Sequence, residues 1–224
     1  MNMSPLYLSL QISILATCIV MITGIFLARL LSVRTFKGKL VIESIIMLPM
    51  VLPPTVVGFG LLFLFGKNGL FGGLLLNWFD FQLIFTWYAA VLAAVVVSFP
   101  LMYQSAAAAF QKHDRNLEHA AYTMGASKRK VFWTISLPLA WPGILAGIVL
   151  SFARALGEFG ATLMIAGYIP GKTDTLPLAI YFSVEAGDNE QAFIWVILML
   201  SFGFLAIYWL NRWNGKNSIG FNKK

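Results

Sequence analysis

The sequence predicts an all-α integral membrane protein, and the prediction rests on composition, on the length of the apolar runs and on the placement of basic residues. Of 224 residues, 59% are hydrophobic and 11% are charged, whereas soluble domains are about 45–50% apolar and about 25% charged. The mean hydropathy is +0.79. This much apolar surface exceeds what the interior of a soluble fold of this size can bury, so the composition excludes an ordinary soluble domain.

Five apolar runs are long enough to cross a bilayer, which requires about 20 residues in a helix. They cover residues 6–31, 40–65, 83–110, 137–166 and 192–210. Hydrocarbon offers no water to the backbone, so these runs must be helices, and none has the alternating pattern of a barrel strand. We therefore expect about five transmembrane helices in a single domain over residues 1–224.

Basic residues predict the orientation of these spans. Thirteen of the 16 lysines and arginines fall in loops on one side of the membrane, in three clusters separated by apolar runs. The positive-inside rule then places the N-terminus outside and the C-terminus in the cytoplasm. Because the clusters are dispersed, they indicate topology and no nucleic-acid partner. The expected location is the cytoplasmic membrane, with the lipid bilayer as the surroundings of a multi-pass chain.

The longest loop on the basic side, residues 112–138, has an unusual pattern for a simple connector. Small side chains at Ala120 and Ala121 permit close approach by another surface, and Gly125 permits a sharp turn. Ser127 is placed to cap a second short helix. Pro138 suits the first turn of the next span, where a missing N–H costs nothing.

This segment resembles the EAA loop of ABC importer permeases, E-A-A-x3-G-x9-I-x-L-P. The matching positions are Ala120, Ala121, Gly125, Ile135, Leu137 and Pro138. The acidic position is occupied by His119, and Glu118 stands one residue earlier. The resemblance implies a coupling helix that docks in a groove of a cytoplasmic ABC ATPase subunit. The alternative is an amphipathic connector that lies on the membrane surface.

Two charges inside the fourth run form a second candidate site. Arg154 and Glu158 are four residues apart, which places them on one face of a helix, with Gly157 and Gly160 beside them. Charges within a bilayer are costly, so they usually pair or line a polar route. Two interpretations carry equal weight: a pair that fixes helix packing, and a gate or anion pathway.

Prolines in the second run point to an interruption of that span. Pro53 and Pro54 break the helical hydrogen-bond ladder, which a bilayer tolerates only beside protein or a water-filled cavity. We expect a gate or a kink at this position. A helix that is merely kinked is the equal alternative.

Three segments narrow the resemblance to one branch of these permeases: residues 48–58, 152–162 and 167–177 resemble molybdate permeases, with sulfate permeases as close relatives. The branch implies transport of molybdate, with tungstate, sulfate or thiosulfate as alternative anions. It also implies a second permease copy, two ATPase subunits and an extracytoplasmic molybdate-binding protein.

Catalysis by the chain itself is not expected. No catalytic Ser, His and Asp set lies in one aqueous compartment, and His113 and His119 have no further metal ligands at suitable spacing. Gly171-Lys172-Thr173 fits a relaxed phosphate loop, but Pro170 removes an amide such a loop needs. Mg-ATP is therefore expected on the partner ATPase. The competing classes are an ion-coupled secondary transporter and a membrane scaffold.

Overall fold

The computed structural model describes residues 3–33, 36–112 and 115–219, and every element within them is helical. The helices are α1 (Ser4–Val33), α2 (Lys39–Val51), α3 (Pro54–Phe65), α4 (Leu70–Phe79), α5 (Trp87–Lys112), α6 (Arg115–Thr123), α7 (Lys128–Val131), α8 (Leu137–Leu156), α9 (Gly160–Ala166), α10 (Leu176–Glu185) and α11 (Asn189–Ile219). A π-helical turn, Phe132–Ser136, joins α7 to α8. The predicted all-α class is confirmed.

Within the described residues, four segments are long and apolar enough to cross a membrane: Ser4–Ser32, Trp87–Lys112, Lys128–Leu156 and Asn189–Trp209. The second apolar run instead forms α2 and α3, which meet at a bend of 114°. Counting this bent pair as one span gives the predicted five. The bend lies at Leu52 and Pro53, where the prolines interrupt the backbone ladder.

Helix α5 is the centre of the molecule, because α1, α3, α8 and α9 all pack on it. Towards the end where α5 begins, its buried alanines and valines meet α1, α3 and α9. Towards its other end, Met102, Ala106 and Phe110 meet α1 and the first turns of α8. Two apolar clusters therefore follow one another along a single buried helix.

Small residues allow α5 and α8 to pack closely. A Cβ atom added at Gly143 would lie 2.6 Å from the Cβ of Ala109, and one added at Gly147 would lie 2.8 Å from the Cβ of Ser105. Lipid tails compete with apolar side chains for the same surfaces, so close backbone approach is a main source of helix association in a bilayer. These two glycines therefore hold the α5–α8 contact.

One expectation about the span boundaries was wrong. The fourth run, 137–166, is not one helix, because α8 ends at Leu156 and α9 begins at Gly160. The connections after α3 and after α9 contain the short apolar helices α4 and α10. Each of these helices has ten residues, which is too few for a span, so neither is recognised in the sequence as a transmembrane run.

Candidate coupling and gate sites

Helix α6 and the turn after it form the first candidate site. Gly125 has φ +82°, a left-handed conformation that side chains rarely adopt, so the expected sharp turn is confirmed. Ser127 caps α7, since its Oγ accepts the N–H of Lys130 at 3.3 Å. The π-helical turn then leads into α8, whose first turn contains Pro138 as expected.

Glu118 is the buried anchor of α6. Its side chain is 10% exposed, and the carboxylate accepts from both terminal nitrogens of the Arg29 guanidinium, with Nη1 to Oε1 and Nη2 to Oε2 each at 3.0 Å. The Ser136 hydroxyl donates to Oε1 at 2.6 Å. A bidentate pair with an added hydrogen bond is the arrangement that compensates best for burying two charges. One carboxylate therefore joins α6, α1 and the turn before α8.

Aromatic rings hold the guanidinium of Arg29 in place. Its Cζ atom lies 5.5 Å from the ring centre of Phe110 in α5 and 6.0 Å from that of Phe132 in the π-helical turn. Each ring is within the distance at which a cation and a ring face attract. The anchor thus reaches α5 as well, and we name Arg29, Glu118 and Ser136 the loop anchor.

The other side of α6 is open. Leu117, His119 and Ala120 are exposed, and Met124, in the turn directly after α6, is 86% accessible. Exposed apolar side chains of this kind mark a surface that another protein can cover. His119, which stands at the acidic position of the EAA pattern, is exposed, while Glu118 is buried.

The second candidate site is a seam where two interrupted helices meet. Pro54, at the start of α3, lies against Gly160, at the start of α9, so that a Cβ atom added at Gly160 would be 3.0 Å from the Cβ of Pro54. One turn further along α3, a Cβ atom at Gly58 would be 2.8 Å from the Cα of Ala161. The α3–α9 seam thus brings together two candidates that are more than 100 residues apart in the chain.

Arg154 and Glu158 pair beside this seam, although not as neighbours on one helix. Arg154 lies in the last turn of α8, and Glu158 follows the end of that helix. Their Nη1 and Oε2 atoms are 2.6 Å apart. The other oxygen of Glu158 accepts the N–H of Ala161 at 2.8 Å. The carboxylate therefore satisfies the start of α9 and neutralises the arginine, whose side chain is 31% exposed.

The loop between α9 and α10 is tied to α1. The Ser4 hydroxyl donates to Oδ2 of the buried Asp174 at 2.6 Å, and the N–H of Leu176 donates to Oγ of Ser9 at 2.7 Å. Burial, and next the Asp174 carboxylate, raise the pKa of the nearby Tyr168 phenol, so this tyrosine stays neutral at physiological pH. The loop is a fixed surface in this structure.

The predicted residues fall into these two places. Glu118 and Gly125 shape the coupling loop, Ala121 and Ile135 are half-buried, and Leu137 opens α8. Pro53 precedes α3, and Gly157 ends α8 beside Met199. Among the described residues no cluster of metal ligands occurs, and His113 lies outside the described part of the chain.

Sequence reasoning missed the partners of Glu118. In the sequence, Arg29 is one of the basic residues that indicate topology, and Ser136 is an unspecified position of the EAA pattern. A usable signal was available, since an arginine near the end of an apolar run is costly unless it has a partner. The sequence did not say which acid that partner is.

The fold is that of ABC importer permeases. A chain from an inward-facing structure of the methionine ABC transporter MetNI superimposes with a TM-score of 0.73 at 16% identity, covering 93% of this chain and 92% of that one. A chain of a bacterial alginate ABC transporter, in complex with a pentasaccharide-bound periplasmic protein, gives 0.73 at 17% identity, with coverage of 94% and 77%.

Sequence comparison then gives the family. Residues 20–217 match the family described as binding-protein-dependent transport system inner membrane component, and the chain belongs to this family of membrane proteins. It is 49% identical to YvgM of Bacillus subtilis (strain 168), named for a molybdenum transport system permease, over 93% of this chain and 92% of YvgM. It is 48% identical to ModB of Escherichia coli (strain K12), the molybdenum transport system permease protein, with coverage of 82% and 80%.

A relative named for another anion is more distant. The chain is 33% identical to cysT of Chlorella vulgaris, named for a sulfate transport system permease, over 93% of this chain and 78% of cysT.

Proposed function

We propose that this chain is the membrane-spanning subunit of an ATP-driven importer that carries molybdate across the cytoplasmic membrane. The observation that carries the class is the anchored coupling loop, with α6 held from beneath by Glu118 and open on its other face. The substrate is supported by near 50% identity to permeases named for molybdenum transport, over most of both chains. Tungstate has the same charge and shape and is a second expected substrate.

The open face of α6 is the proposed ATPase contact. Leu117 and Met124 offer apolar surface, and Ala120 between them lets a partner approach closely. ATP and magnesium bind on that partner, and its closing motion moves α6. Because the loop anchor connects α6 to α1 and to the turn before α8, the motion reaches two spans directly.

A second copy of the chain completes the pathway in this proposal. None of the α2 residues is buried within the described chain, although α2 is apolar. Its inward side chains are Glu43, which accepts a hydrogen bond from the Tyr103 hydroxyl at 2.9 Å, and the partly buried Ile46 and Met47. A helix so weakly covered by its own chain is suited to face a pathway or a partner copy. We therefore expect a homodimer with two ATPase subunits.

The α3–α9 seam is the proposed gate. Two helices begin at this contact, α3 at Pro54 and α9 at Gly160, so a small separation of α3 from α9 would open a route between them. Arg154 lies close by and is partly exposed, with its charge balanced by Glu158.

With the N-terminus outside, α4, α10 and the loops beside them, within 67–80 and 167–191, form the surface for an extracytoplasmic molybdate-binding protein.

Transport by the reconstituted complex tests the proposal. The chain is combined in liposomes with an ATPase and a binding protein from the same source, and labelled molybdate uptake and ATP hydrolysis are measured together. We expect uptake that requires ATP and both partners. Uptake without the ATPase would show an ion-coupled transporter, and no uptake with an assembled complex would show a scaffold.

Sulfate is the alternative to molybdate, and the 33% identity to a sulfate permease favours testing it. In the same liposomes, excess sulfate should leave molybdate uptake almost unchanged. Strong competition by sulfate would make sulfate the proposed substrate in place of molybdate. The proposal of an ATP-driven importer subunit would still stand.

A further inference from the structure

A cavity of about 600 Å³ lies between the last turns of α1, the end of α5, α6 and α7. Aromatic and aliphatic side chains line it, including Phe26, Leu30 and Phe132. Lys128 and Arg129 line it as well. The cavity therefore combines apolar and cationic side chains, at the end of the spans that carries most basic residues.

The charges in this cavity are unbalanced. Glu118 is the acid in its lining, and it is already held by Arg29 and Ser136 in the loop anchor. Lys128 and Arg129 are exposed and form no ion pair in the part of the chain that the structure describes. Two positive charges therefore remain available to an anionic ligand.

The apolar lining residues show what kind of ligand fits. Phe26 is 68% exposed and lies seven residues before the end of α1, roughly 10 Å deeper along the helix axis. Since α1 is a transmembrane helix, this depth lies among acyl chains. A soluble protein that binds α6 from the aqueous side does not extend that far, whereas a phospholipid has a headgroup and a tail of the required spacing.

We propose that this cavity binds an anionic phospholipid, with the phosphate group between Lys128 and Arg129 and an acyl chain along Phe26 and Leu30. Basic pockets at the ends of spans attract acidic headgroups in this way. The lipid would support α7 and the turn after Gly125 from the membrane side. The inference needs only membrane residence, and it stands or falls independently of the transported anion.

Lipid retention by the purified full-length chain tests the proposal. The chain is exchanged into mixed micelles with equal phosphatidylglycerol and phosphatidylcholine, and bound lipid is counted by native mass spectrometry. We expect phosphatidylglycerol to be preferred. In the Lys128→Gln/Arg129→Gln variant, the preference for phosphatidylglycerol should fall about fivefold for each cation removed.

A matched control comes from two basic residues outside the cavity. Lys37 and Lys130 are exposed and do not line it, so Lys37→Gln/Lys130→Gln removes the same charge and should keep the preference. Phe26→Ala should weaken retention of both lipids equally, because it changes the tail contact. Size-exclusion profiles and thermal unfolding show that each variant is folded.

Three results would overturn the proposal. The first is equal retention of both lipids by the unmodified chain, and the second is equal loss of preference in the control pair. The third is a Lys128→Gln/Arg129→Gln variant with unchanged lipid preference but impaired capture of the ATPase, which would assign the two cations to the protein partner. Failure of molybdate transport, with the lipid preference intact, would affect only the proposed function.

Discussion

The loop anchor and the α3–α9 seam each contain an arginine–glutamate pair, but the pairs are built differently. Arg29 and Glu118 are 89 positions apart and form a bidentate contact beneath two aromatic rings. Arg154 and Glu158 are four positions apart, share one contact at 2.6 Å, and leave the arginine partly exposed. The first pair fastens separate elements together, and the second shapes the bend between α8 and α9.

The two regions are held rigid by different contacts. At the anchor, polar groups hold a peripheral loop to the spans. At the seam, backbone contact between Gly58 and Ala161 and between Pro54 and Gly160 holds two helices together, and the ion pair only satisfies the bend. A part that transmits force benefits from a strong directional link, whereas a gate benefits from a surface that can separate.

Removing the anchor carboxylate should have the largest effect. Glu118→Ala leaves Arg29 buried without its partner, which costs about 3–5 kcal/mol. For a chain of this size we expect the midpoint temperature of unfolding in detergent to fall by roughly 2–4 °C for each kcal/mol.

A double-variant cycle checks that the loss comes from the pair. Arg29→Ala/Glu118→Ala should be less destabilised than the sum of its single variants, since no unpaired charge remains. Additive losses would mean that the two side chains act separately and that the anchor is not a unit.

Crowding the seam should have the next largest effect. An added methyl at Gly58 would lie 2.7 Å from the Cβ of Met164, so Gly58→Ala must push α3 away from α9 at a cost of about 1–3 kcal/mol. Gly60→Ala is the matched control, because its added methyl meets nothing within 4 Å. The unfolding temperature of the Gly58→Ala variant should lie below that of the Gly60→Ala variant. Equal unfolding temperatures would contradict a tight seam.

Neutralising the local pair should cost less. Glu158→Gln keeps an acceptor for the N–H of Ala161 but loses the charge opposite Arg154, a change of about 1–2 kcal/mol. If the seam is a gate, molybdate uptake should fall by more than the loss of folded protein explains. An Arg154→Gln or Glu158→Gln complex that assembles normally and transports at full rate would refute the gate.

The smallest expected change lies in the turn after α6. Gly125→Ala places a side chain at φ +82° and should cost about 1 kcal/mol, while Gly125→Asn should cost less because asparagine tolerates this conformation. ATPase capture and ATP-coupled uptake should follow the same order. The contrary result, with alanine tolerated and asparagine not, would separate the turn from coupling.

Much of the fold was predictable because its signals are local. Span length, the basic clusters and the turn at Gly125 all lie within short stretches of sequence, and the bilayer turns each into a structural requirement. The spacing of Arg154 and Glu158 likewise predicted their contact. It did not predict that α8 ends between them, because the end of α8 depends on what α9 packs against.

The membrane class, the number of spans and the segment that resembles a coupling loop all follow from the sequence. The contacts of Glu118 with Arg29 and Ser136, the contact of Pro54 with Gly160 and the cationic cavity behind α6 become visible only in the packed helices. These two groups of features differ because the second joins residues that are far apart in the chain. Apolar length acts on each segment separately, whereas the partner of a buried charge or a glycine is chosen when the helices pack.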